Sequence, residues 1–173
     1  MKQIIDTDDI MNIKPISANN KNKAGQLIKE VSDLWGAKLL GNQFYQYVCS
    51  TDDDIKELLE GGEYTSCNGT TMYQPGLKTV FVYLFWSRYV YDINYTDTPT
   101  GMVSKQREDS NQLSLGHLAN LSSNFETMAM NYFSLVEEYI LANKSQYPLY
   151  KGCKQHTTNL RPSIVGVKNK NLK

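Results

Sequence analysis

Apolar residues recur along this chain mostly at the spacing of helices. From Lys21 onward, Leu27, Ile28, Val31, Leu34 and Trp35 share one stripe, followed by Leu39, Leu40, Phe44, Tyr47 and Val48, with Gly36 and Gly41 as points of kink or division. Before them, residues 1–20 show no sustained period. With Pro15 and the Asn19-Asn20 pair, they read as an N-terminal arm. A short helix is expected from about Asp52 to Glu60: Thr51 and Asp54 fit a capping box, Asp52 and Asp53 suit the positive end of the helix dipole, and Gly61-Gly62 stop it.

Between about 63 and 74 the pattern changes. Tyr64, Thr65, Thr70, Thr71 and Tyr73 flank Asn68-Gly69, the strongest short hairpin signal, because both central residues of a type I′ turn need positive φ. Such a ribbon is marginal alone and must lean on helices or on another subunit. Pro75 is then placed in the first turn of a helix from about Gly76 to Ile93, apolar almost all round and so the most buried element. A polar connection of about 20 residues, 94–113, exceeds the usual loop length and implies function or disorder. Ser114 caps a last helix that runs to Pro148, with Leu118, Leu121, Phe125, Met128, Tyr132, Leu135 and Tyr139 as its seam. In the tail, 149–173, the one β-favouring run is Ser163–Val167, which must pair with an edge elsewhere or stay disordered.

The fold expected is therefore mostly α: a helical bundle built on two long helices, with a small β-hairpin and extended N- and C-terminal arms. The bundle would occupy 21–148, between arms at 1–20 and 149–173, and 173 residues need no second domain.

Charge removes several functions from consideration. Lys plus Arg and Asp plus Glu each number 18, so no net charge draws the chain to phosphate or anionic lipid. The most apolar stretch, Val80–Trp86, is far short of the roughly 20 residues a membrane span needs, and the acidic start MKQIIDTDD lacks a signal peptide's apolar region. A cytoplasmic origin is expected. Cys49, Cys67 and Cys153 are odd in number and far apart, so free thiols are the default. No catalytic residue, cofactor site or metal site is expected. His117 is explained by helix capping, and Cys153 with His156 lacks further ligands. Asp52-Asp53-Asp54 lacks the spaced oxygens of a calcium loop, and no phosphate-loop, dinucleotide, hydrolase-elbow or zinc-protease motif is present. The 12 tyrosines, with Tyr83, Tyr89, Tyr91 and Tyr95 near one end of the central helix, serve either the core or an interface.

The order of these elements resembles a known family. Leu40-Gly41, then Leu58-Leu59-Glu60-Gly61-Gly62, Tyr64 and the hairpin, then Pro75-Gly76-Leu77-Lys78 leading to Arg88-Tyr89, are similar to the head-tail connector proteins of tailed bacteriophages. So are Asp97-Thr98-Pro99-Thr100-Gly101-Met102-Val103, Ser110 and the final helix with Tyr132, in the form found in phages of Bacteroidales, including crAss-like phages. The resemblance covers about 21–150. It implies a virion protein, made in the bacterial host cytoplasm, that forms a portal-adaptor ring, commonly of twelve copies. The ring would meet the portal protein and a further tail or ring protein, and DNA would pass through it without sequence-specific binding. Contacts are expected at Asn68, Gly69 and Tyr73 of the hairpin, at Tyr95, Thr98, Thr100 and Arg107 of the long connection, and at Ile164, Val165 and Val167 of the tail. A small cytoplasmic helical interaction or assembly-chaperone module is the alternative. An enzyme using Cys153 and His156 is a third reading.

Overall fold

The structure is a computed structural model that describes residues 2–16, 21–51, 55–99, 101–104 and 114–152. The chain is mostly α, with helices α1 (Thr7–Ile13), α2 (Lys21–Leu40), α3 (Asn42–Ser50), α4 (Lys56–Glu60), α5 (Leu77–Asp92) and α6 (Leu115–Ala142). Two antiparallel hairpins interrupt them: β1 (Gly62–Thr65) with β2 (Thr71–Gln74), and β3 (Tyr95–Thr98) with β4 (Gly101–Ser104).

Helix α5 forms the centre of the fold because its sequence leaves almost no polar face. Between Leu77 and Tyr91 only Arg88 is exposed, and α6 packs along it more extensively than any other element does. Helices α2, α4 and α1 close the remaining sides. Gly41 divides α2 from α3, and Leu27, Ile28, Val31 and Trp35 are buried as the stripe requires, while Leu34 points outward. Gly61 stops α4 as expected, its N–H bonding Glu57 O at 3.0 Å. The start of α4 differs from the expected one. Thr51 instead ends α3 with an N–H bond to Tyr47 O at 3.1 Å, and the expected capping box involves 52–54, which lie outside the described residues.

The first residues do more than form an irregular arm. Asp6 and Asp9 make a capping box for α1, and Ile4, Ile5, Ile10 and Ile16 are buried in the main core. Four isoleucines spread over thirteen positions give no helical period, because three of them lie outside the seven-residue helix, Ile4 and Ile5 before it and Ile16 after it. At the other end, α6 stops at Ala142 rather than at Pro148. Asn143 makes the stop, bonding Tyr139 O through both its N–H and its side-chain amide at 3.0 Å. Turns then carry Tyr147 and Tyr150 back onto Phe44, so the core extends past 148.

Candidate interaction surface

The base of the first hairpin is pinned between two helix ends. Gly61 closes α4, Gly76 caps α5, and the two backbones cross so closely that a β-carbon on Gly76 would stand 2.4 Å from Leu59 O. Both also hold positive φ, so no other residue fits either place without strain. This crossing puts Pro75 before the N-cap instead of inside the first turn, where its carbonyl accepts a bond from Thr79 Oγ1 at 2.8 Å. Gln74 joins the same knot. Only 1% exposed, it donates through Nε2 to Glu57 O at 2.5 Å and accepts through Oε1 from Gly76 N–H at 2.7 Å. Lys78 adds α1, meeting Glu60 at 2.6 Å and Asp9 at 3.0 Å. Burial pulls its pKa down, but the hydrogen bonds to both carboxylates outweigh that and raise it.

A tyrosine network supports the hairpin from behind. Tyr64 stands edge-on to Tyr139, with ring centroids 5.2 Å apart. The Tyr139 hydroxyl donates to Glu57 Oε2 at 3.1 Å and lies 3.2 Å from that of Tyr147. Burial, then Tyr147 and Glu57, hold the Tyr139 phenol well above the usual range. Such a group stays protonated. It serves as a hydrogen-bonding strut between α6, α4 and the closing turns.

Strand register sorts the hairpin into two faces. Tyr64 pairs with Met72 on the face toward α6, and Glu63 pairs with Tyr73, and Thr65 with Thr71, on the outer face. Tyr73 is 63% exposed, and every residue from Cys67 to Thr71 is exposed as well. The turn is a three-residue one, not the expected type I′. Gly69 N–H bonds Ser66 O and Ser66 N–H bonds Thr70 O, both at 2.9 Å, so Cys67 and Asn68 are central. Gly69, at φ 77°, takes the left-handed position that follows.

The second hairpin lies inside the connection expected to be a loop. Tyr95 faces Ser104 in its register, and Thr98 faces Gly101 across the turn. Tyr, Thr and Val around Pro99-Thr100-Gly101 could have signalled it, since proline presets the φ of a turn's second residue. Of the other expected contacts, Thr100, Arg107, Ile164, Val165 and Val167 lie outside the described residues, as do Cys153 and His156. The structure thus brings together Asn68, Gly69 and Tyr73, and separately pairs the one strand that holds both Tyr95 and Thr98 with Gly101–Ser104.

Candidate chemistry is sparse among the described residues. His117 takes the capping role expected of it, with its N–H 3.3 Å and its Nδ1 3.0 Å from Ser114 Oγ. Cys49 is buried and its thiol pKa pushed up by that burial, while Cys67 is exposed on the hairpin turn. No three His, Cys, Asp or Glu residues are grouped to hold a metal ion among the described residues. One cleft of about 510 Å³ lies between the N-terminal segment and α4, and one of about 250 Å³ between α2, α5 and α6. Neither is lined by a histidine or a cysteine.

These features describe a helical scaffold with a rigidly based, outward-facing strand pair. The chain belongs to DUF6712, a family of unknown function, which matches residues 37–159 and so takes in both hairpins, α5 and α6. No curated protein and no solved structure matches it. No described helix is long and apolar enough to cross a membrane.

Proposed function

We propose that this protein is a virion structural subunit of the head-tail connector type. Copies of it form a ring, of twelve in the proposed assembly, that sits under the portal, extends the DNA channel and presents a platform to a further tail or ring protein. The observation that carries this reading is the first hairpin. Its base is locked by Gly61, Gly76 and Gln74, yet its outer face and turn are exposed, as befits a part that is held firm in order to touch another chain. The order of elements supports the same reading, and a net charge of zero suits a channel through which DNA slides. A tagged copy, visualised by electron microscopy of purified particles, tests the proposal. Label at the portal vertex is expected. Particles that form normally and exclude the protein would overturn the reading.

A further inference from the structure

Two surfaces of this chain lack the protection that exposed elements normally carry. On α6, Leu121, Met128 and Leu135 are 37%, 38% and 36% exposed, and their seven-residue spacing sets them in one line, drifting about 20° per step. The line runs roughly a quarter turn away from the buried row of Phe125, Ala129 and Val136. From Leu115 to Val136 the only formally charged residue is Glu126, in a chain whose residues are 21% charged. A solvated helix face would be expected to be richer in charge. The first hairpin is nearly as poor, with Glu63 near its base as its one charged residue. Tyr64–Gln74 contains no charged residue, although a two-stranded sheet leaves an unpaired edge on each strand, and native proteins commonly guard such edges with charge.

From this we infer that the outer face of β1–β2, centred on Tyr73, seats on the α6 line Leu121–Met128–Leu135 of the next copy in the ring. The inference rests on the connector reading and supplies its subunit contact. Apart from Glu63, which pairs with Tyr73 near the base of the hairpin, both surfaces offer apolar, hydroxyl and amide groups, so the contact need cover no charge if that one carboxylate stays at its hydrated rim. Tyrosine and methionine at the centre, with charge depleted, is the composition of an interface core. The dimensions permit it: a four-residue strand spans about 13 Å and fits within the line from Leu121 to Leu135, about 21 Å long. Two different patches joined between copies make a heterologous contact, the kind that closes into a ring when its rotation allows. Pairing α6 with α6 about Met128 would instead give a two-fold dimer.

Cysteine cross-linking separates these geometries. In full-length protein carrying Cys67→Ser and Cys153→Ser, Tyr73→Cys and Met128→Cys are introduced singly and together, and the products oxidised. A ladder of dimer, trimer and higher species from the double variant alone is expected. Met128→Glu, in the wild-type background, is expected to lower the ring population at least tenfold while leaving the helical circular-dichroism signal unchanged. A dimer from Met128→Cys alone would overturn the proposal in favour of two-fold pairing. Intact rings without a ladder, or rings that tolerate Met128→Glu, would overturn the seating and leave the connector reading standing. A monomer under all conditions would remove both.

Discussion

A β-carbon on Gly36 would stand 2.3 Å from Tyr45 Cε2, so the ring of one helix lies where the other has no side chain. Alanine normally favours a helix over glycine by about 1 kcal/mol. Here the overpacking, about 1–3 kcal/mol, outweighs that gain. Gly36→Ala is therefore expected to lower the thermal midpoint, and an unchanged or raised midpoint would contradict the packing described. The sequence shows a glycine inside a helical stripe, yet the reason for it lies in Tyr45, nine positions later and on another helix. Buried tyrosines also set a pH limit. Tyr45 and Tyr139 are held above their ordinary value of 10.0, by burial first in each case. Above that value the unfolded chain releases these protons while the folded chain keeps them. Stability should be constant below about pH 10 as far as these groups act and fall as pH rises beyond it, checked by urea unfolding from pH 8 to 11. A midpoint that rises over that range would run against the sign.

Among the elements, α5 shows how much periodicity can reveal, since a stretch apolar on nearly every side can only be central. The expected seam of α6 is half right for a physical reason. Leu118, Phe125 and Tyr139 are buried, but Leu121, Met128 and Leu135 are exposed, because the helix packs through a wide face that includes Ala129, Phe133, Val136 and Ile140. A 3-4 count cannot choose between two adjacent apolar lines. The hairpin was legible through Asn68-Gly69, while its base was not: Gly61, Gln74 and Gly76 act through backbone contacts that no sequence pattern reports. Valine at Gly69 meets open space but a forbidden φ. Gly69→Val is thus expected to disrupt the turn, leave helix content by circular dichroism largely intact and abolish assembly; normal incorporation into particles would show that the hairpin makes no contact.

For the whole molecule, the described core runs from Ile4 to Tyr150, so the ends contribute unequally. Removing residues 1–16 uncovers a core that four buried isoleucines now close, each worth about 1.5–3 kcal/mol, and is expected to leave a chain without a cooperative thermal transition. Deleting Pro162–Lys173 is expected to move the thermal midpoint little and yet weaken attachment in an assembly competition; equal incorporation would mean that this segment joins nothing. The overall helical class and the first hairpin were readable because local patterns encode them, whereas self-association depends on what two copies present to each other. Native mass spectrometry of the full chain, over a range of concentrations and with or without a portal ring, tests the connector reading most directly. A closed species of twelve chains, each of 19.7 kDa, is the expected result. A 19.7 kDa monomer at every concentration, indifferent to the portal, would contradict it.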